Sequence, residues 1–203
     1  MNLFMTYDMN LFFTNTQKLN KINPSNVRRN VKKSKNFHIF FCQGLILIKK
    51  EKNKLDIAYF NKKNLLFQYI DKTVYLGMDE ERNIYIHNIS YKKTKSNLNQ
   101  IEFFSKIVKK ENLSHYLFSD LRTIFTNLSI KDSSIAGIAK SLINWKLENK
   151  FCTKCGEKFE NSDNYKWENE CSFCNKIYFP RIDPVIIVIV VNGNKTLIGR
   201  SHH

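Results

Sequence analysis

The sequence predicts an α+β protein, and three patterns carry that expectation. Short apolar or alternating runs recur between residues 38 and 89, separated by charged and Asn-containing turns. Apolar residues at helical spacing then occupy residues 133–150. Four of the five cysteines gather between positions 152 and 174 as two C-x2-C pairs. Short strands, an amphipathic helix and a metal-type cysteine spacing predict a sheet-and-helix domain followed by a small stapled module.

Each element has its own reason. Residues 1–36 are mostly polar, with Asn23-Pro24-Ser25 as a turn signal, and are expected to be an N-terminal extension of loop with a short helix. Residues 37–132 hold an N-terminal mixed sheet and helix domain. The run 38–48 is rich in Ile, Phe and Leu and is interrupted at Gly44, and further short runs occupy 55–60, 65–70, 73–76 and 84–89. That spacing predicts an antiparallel sheet. Residues 101–110 and 116–128 read as helix or mixed structure. Residues 133–150 form a connecting helix, because Ile135, Ile138, Leu142 and Trp145 fall on one face, and Asp132 or Ser133 can cap it. Such a face packs on a core and needs no chemistry of its own. Residues 151–180 are the cysteine module. In 181–203, Pro184 precedes seven apolar residues, 185–191, followed by the turn Asn192-Gly193-Asn194 and a second strand over 195–199. This is a hairpin. A continuous apolar strand expects cover on both faces, which one hairpin cannot supply, so the stretch reads as the opening of an incomplete domain.

Composition excludes several classes. With 203 residues, 42% apolar and 25% charged, the chain is neither disordered nor collagen-like. No apolar run approaches the roughly 18–20 residues of a membrane helix, so no membrane partner is expected. The N-terminus lacks a basic region followed by an apolar stretch and a small-residue cleavage site, which points to the cytoplasm. Its seven Lys/Arg against one Asp over the first 35 residues leave an organelle presequence as the competing reading. The net charge of +15 suits an anion binder. Yet 27 Lys against 6 Arg, with abundant Asn and Ile, is also what an A- and T-rich genome would impose on a solvated surface. The charge is uneven: residues 1–150 carry 26 basic and 12 acidic side chains, residues 151–203 carry 7 and 6.

Cys152-x2-Cys155 and Cys171-x2-Cys174, fifteen residues apart, have zinc-ribbon spacing. Each short pair bends the backbone into a knuckle that offers two thiolates, and two knuckles complete a tetrahedral four-sulfur shell. A shell filled by protein leaves no position for substrate, so the Zn²⁺ is expected to be structural. Gly156 and Asn175 follow the two pairs and tolerate the left-handed conformation such turns need. A disulfide pair or a redox C-x2-C is the alternative. Cys42, alone in an apolar run, reads as a small core residue. His38, His87 and His115 are scattered and support no triad with the cysteines, and His202 and His203 read as terminal loop residues.

These motifs together resemble the NADH pyrophosphatase branch of the Nudix hydrolase family. The resemblance rests on Trp145, then Phe151-Cys152-Thr153-Lys154-Cys155-Gly156, then Cys171-Ser172-Phe173-Cys174. Tyr178-Phe179-Pro180-Arg181-Ile182-Asp183-Pro184 follows, leading into the apolar 185–191. Val74-Tyr75-Leu76-Gly77 and Asp120-Leu121-Arg122 are similar to the family's N-terminal domain. The resemblance implies an N-terminal α+β domain, a zinc ribbon, and the first hairpin of an α/β/α Nudix domain. It implies hydrolysis of the NAD(H) pyrophosphate to NMN(H) and AMP with Mg²⁺ or Mn²⁺, a homodimer, and in some members removal of NAD caps from RNA. It also implies that an aromatic residue before the ribbon-exit proline lies near substrate; Phe179 holds that position, with Tyr178 before it.

One departure weighs against catalysis. The Nudix box, Gly-x5-Glu-x7-Arg-Glu with further glutamates, supplies the carboxylates that hold catalytic metals. Six residues beyond Gly44, Gly77, Gly137, Gly156 and Gly193 stand Lys50, Asn83, Ile143, Ser162 and Gly199, and no Arg-Glu dipeptide occurs. No catalytic residue is therefore assigned, and the 203 residues are expected to be inactive alone. A non-enzymatic zinc-ribbon interaction or dimerisation module is the alternative. A nucleic-acid-binding ribbon is a further one, although Lys154, Lys158, Lys166 and Lys176 are balanced by Glu157, Glu160, Asp163, Glu168 and Glu170.

Overall fold

A computed structural model of the chain describes residues 35–52, 54–79, 82–91, 99–111, 113–159, 166–180 and 188–199. Residues 1–34 of the expected 1–36 extension, residues 181–187 with the first three positions of the expected 185–191 strand, and His202 and His203 lie outside them, while Lys35 and Asn36 of that extension begin the first strand.

Strands β1 (Lys35–Cys42) and β2 (Leu45–Glu51) turn back on each other through Gln43 and Gly44. After β3 (Lys54–Ile57) come β4 (Ile70–Asp79) and β5 (Arg82–Ile89), then helix α1 (Gln100–Lys110) and β6 (Tyr116–Ser119). The short α2 (Leu121–Ile124) and the 19-residue α3 (Ile130–Glu148) close the domain. The sheet order is β3-β2-β1-β5-β4, and β6 pairs with the outer edge of β2. The fold is α+β with a mixed sheet. The antiparallel expectation fails at one pairing, since β1 and β5 run parallel from Lys35 opposite Arg82 to Phe41 opposite Asn88. Parallel neighbours need a long connection, and the excursion through β2, β3 and β4 supplies it.

The run 38–48 is apolar almost throughout because both sheet faces are covered. Ile39, Phe41, Ile46 and Ile48 share a core with Ile135, Ala136, Ala139, Leu142 and Ile143 of α3. The alternate residues Phe40, Cys42 and Leu47 pack with Phe104, Ile107 and Val108 of α1 on the opposite face. Cys42 is fully buried, as its apolar neighbours imply, and burial pushes its thiol up to about 12.

Three expectations change. Residues 65–69 form a 3₁₀ turn instead of a strand, because the Asn64 side chain accepts from Leu66 N–H and starts the turn. The 116–128 stretch, expected to be helix or mixed, is mixed: it divides into β6, α2 and a 3₁₀ turn, with the Asp120 side chain capping α2 through Arg122 N–H. Helix α3 begins at Ile130, capped by Ser129 through Asp132 N–H, instead of at Asp132 or Ser133. The C-terminal hairpin is short, with β9 (Val191–Asn192) pairing β10 (Lys195–Thr196), while Val188, Ile189 and Val190 are exposed and outside any strand.

The histidines also change. His38 and His87 are not scattered in space: the β1–β5 pairing sets His38 Nδ1 2.8 Å from His87 Nε2, and Thr73 Oγ1 lies 2.8 Å from His87 Nδ1. Phe40, Phe67 and Tyr85 pack around the pair. Burial and the His38 charge lower the pKa of His87 to about 3, so it stays neutral.

Candidate metal centre

Two residues after α3 ends, the chain enters the first of two closely matched knuckles. Cys152 N–H donates to Glu157 O (2.7 Å) and Gly156 N–H returns to Cys152 O (2.8 Å). In the second knuckle Cys171 N–H donates to Lys176 O (3.0 Å) and Asn175 N–H returns to Cys171 O (2.9 Å). Gly156 and Asn175 occupy equivalent places with φ of 77° and 56°. Glycine and asparagine are the residues that reach this region at least cost. Strands β7 (Asn169–Glu170) and β8 (Ile177–Tyr178) form the second hairpin, while Phe151 pairs with Lys158 across the first.

This arrangement brings the four cysteines together. Their Sγ atoms all lie within 4.8 Å of one another, with Cys152–Cys174 and Cys155–Cys171 each at 3.5 Å. A tetrahedral zinc with Zn–S near 2.3 Å sets its sulfurs about 3.8 Å apart. The cluster could hold a metal ion, and its donors and spacing are compatible with zinc.

The environment favours thiolate at one position. Burial pushes the Cys152 thiol up, but the Tyr178 hydroxyl and the N–H groups of Cys155 and Lys154 outweigh it and bring it down to about 6. The Tyr178 hydroxyl lies 3.2 Å from Cys152 Sγ and accepts from Thr153 Oγ1 at 3.1 Å. The Glu157 N–H draws the Cys155 thiol down, but burial and the neighbouring thiols of Cys152, Cys171 and Cys174 outweigh it and push it up to about 12. A cluster without metal holds one thiolate readily and resists the next, which a divalent cation reverses.

The ribbon is fastened to the sheet domain. Lys146 Nζ donates to Glu168 O (2.6 Å) and Asn169 Oδ1 (2.7 Å), and Asn169 Nδ2 donates to Asn149 O (3.1 Å). Trp167 Nε1 donates to Tyr75 O (3.0 Å) while its ring packs on the α3 side of the sheet core. Burial first, then the Lys72 charge, lower the Lys146 ammonium to about 8, with Glu168 opposing. The helix-face reading placed Trp145 inward and missed Lys146. Trp145 is partly buried, whereas Lys146 is only 6% exposed. Ala136, Ala139 and Ile143 carry the buried stripe to Lys146, and the alanine pair was the available signal.

Of the two aromatics singled out near the ribbon exit, Tyr178 turns its hydroxyl to the cysteines, and Phe179 is 66% exposed. Phe173, inside the second pair, is 77% exposed. No described helix is long and apolar enough to cross a membrane.

Residues 35–145, the six-stranded sheet and its helices, match the family model described as an NADH pyrophosphatase-like rudimentary NUDIX domain. The cysteine cluster lies outside that match. The chain is 30% identical over 93 residues to Nudix hydrolase 19, chloroplastic, of Arabidopsis thaliana, covering 41% of this chain and 21% of that protein. It is 29% identical over 84 residues to the human NAD(P)H pyrophosphatase NUDT13, mitochondrial, covering 41% and 24%. It is 33% identical over 69 residues to the NAD-capped RNA hydrolase NudC of Pseudomonas putida strain GB-1, covering 33% and 24%. The matches thus span about a quarter of these relatives' length.

Proposed function

Because this chain belongs to the NADH pyrophosphatase branch of the Nudix hydrolases, we propose that it serves the hydrolysis of the NAD(H) pyrophosphate to NMN(H) and AMP. The observation that carries the reading is the order of parts: the family's rudimentary NUDIX domain over 35–145, then the four-cysteine ribbon clamped to its last helix.

In this reading Cys152, Cys155, Cys171 and Cys174 hold a structural Zn²⁺. The metal staples a ribbon whose paired strands are two residues long and which buries little apolar surface of its own. The chain's own residues position. The knuckles fix the ribbon, Lys146 and Trp167 fix its angle to the sheet, and Phe179 stands exposed where the resemblance sets an aromatic near substrate. Hydrolysis needs a general base and divalent metals held by carboxylates, and the sequence contains no Nudix-box glutamates for Mg²⁺ or Mn²⁺. In this reading the 203 residues alone are expected to leave NAD(H) intact. NAD-capped RNA is the second substrate class, named in the Pseudomonas putida relative. A homodimer and a cytoplasmic setting complete the reading, with an organelle as the alternative.

The test compares two products of the same gene, each incubated with NADH and Mg²⁺ or Mn²⁺ and followed by chromatography. The 203-residue chain yields no AMP. A product read on past codon 203 that carries the box yields AMP and NMNH together. If a box-bearing product leaves NADH intact, the reading is wrong. A second reading, a non-enzymatic interaction module, draws on the exposed Phe173, Phe179 and Val188 to Val191. It predicts a stable zinc-loaded chain whose gene encodes no box.

A further inference from the structure

Four lysines from separate parts of the sequence line one open groove of about 240 Å³. Lys72 comes from β4, Lys146 from α3, Lys150 from the link to the ribbon, and Lys158 from the first knuckle's closing segment. Phe159 N–H donates to Lys150 O (2.9 Å) and Phe151 pairs with Lys158, which keeps Lys150 and Lys158 side by side. Among the described residues one acid, Asp71, lines the groove, and its carboxylate is already engaged by Asn88 Nδ2 (2.8 Å) and Ser90 Oγ (2.9 Å).

Lysines elsewhere are either paired with an acid or, like Lys109 and Lys110 of α1, exposed on the surface without an ion pair among the described residues, whereas these four share one groove. Lys49, Lys54, Lys131, Lys140 and Lys166 each pair with a carboxylate. Lys72, Lys150 and Lys158 make no ion pair among the described residues. Lys146 is buried and gives two N–H bonds to neutral acceptors, Glu168 O and Asn169 Oδ1. Burial lowers the Lys72 ammonium, and burial first, then the Lys72 charge, lowers Lys146. Desolvated like charges raise the free energy of the empty groove, and a bound anion relieves both costs. Lysine, a compact point charge, suits phosphate oxygens.

We propose that this groove is a phosphate-binding site, in which Lys72, Lys150 and Lys158 hold a pyrophosphate or phosphodiester group over the buried Lys146. The site is distinct from the cysteine cluster and needs no Nudix box, so it stands whether or not the chain serves NAD(H) hydrolysis. Charge that is dispersed along the sequence, and nearly balanced within the ribbon, converges only in the fold.

The test uses the full zinc-loaded chain and two probes: inorganic pyrophosphate by calorimetry, and a labelled single-stranded RNA of about ten nucleotides by anisotropy, at about 50 and 200 mM salt. The Lys150→Glu/Lys158→Glu variant changes two exposed side chains. The control, Lys109→Glu/Lys110→Glu, makes the same change of net charge on α1, across the sheet from α3. Saturable binding that falls about tenfold in the groove variant and under about twofold in the control supports the site. If RNA binds more tightly than pyrophosphate, and the groove variant's salt slope drops by about 0.7 for each phosphate it no longer neutralises, the phosphate belongs to a nucleic acid. Saturation by pyrophosphate alone assigns a small ligand. Equal weakening in both variants, or saturation by neither probe, overturns the proposal.

Discussion

Lys146 and Asn169 lie 23 residues apart in sequence and 2.7 Å apart in the fold, one on the last turns of α3 and the other on the first strand of the ribbon hairpin. That contact, with the second bond from Lys146 Nζ to Glu168 O, fixes where the cysteine cluster sits against the sheet. Lys146→Met keeps the packing of the stem but leaves Asn169 Oδ1 and the Glu168 carbonyl without their donor. A buried acceptor stripped of its partner costs roughly 1–3 kcal/mol. The variant should unfold at correspondingly lower urea and exchange its metal faster. An unchanged midpoint would mean that the clamp contributes nothing.

The knuckles predict an asymmetry between two turn residues. A Cβ built on Gly156 meets nothing within 4 Å, so the penalty for a side chain there is conformational. With φ at 77°, Gly156→Val should cost about 1–2 kcal/mol and weaken zinc binding about tenfold. Asn175→Gly, at φ 56°, should be neutral or nearly so. Competition with a chromophoric chelator checks both, and equal zinc affinities in the two variants would contradict the left-handed requirement.

Much of this was legible in the sequence, and the failures have a common cause. The apolar run through Ile39, Phe40, Phe41 and Cys42 announces a strand, and cysteine spacing announces two knuckles. Both are local patterns. The His38–His87 pair was not legible, because it depends on a parallel pairing between strands 49 positions apart, which sheet topology sets and spacing does not. Lys146 was missed for a related reason. Its burial follows from a ribbon that folds back onto α3, and a helix-face count favoured the apolar Trp145 one position earlier.

Metal removal should loosen the ribbon and spare the sheet. The sheet domain has two apolar clusters of its own, whereas the ribbon's paired strands are two residues long. Chelation should shift the Trp167 emission to the red as its indole leaves Tyr75 O, with far-ultraviolet dichroism nearly unchanged. A Trp145→Phe background isolates the Trp167 signal. Loss of the dichroism along with the emission would show that the two parts fold as one unit.

His87 makes stability depend on pH in a defined window. Burial, reinforced by the His38 charge, holds its folded pKa near 3, while the unfolded chain takes up a proton near 6.5. The unfolded state therefore binds more protons between these values, and stability falls as pH falls through them. The contribution is fully present above about pH 6.5 and is lost progressively toward pH 3. Acid also protonates the metal-binding thiols, so a falling urea midpoint by itself does not identify the histidine. His87→Gln separates the two: it cannot titrate, it retains hydrogen-bonding capacity toward Thr73 and His38, and it leaves the ribbon untouched. Between pH 7 and 4.5 the wild-type midpoint should fall more steeply than that of the variant, with the gap between the curves closing toward the acid side. Parallel curves would place the acid sensitivity in the cysteine cluster alone.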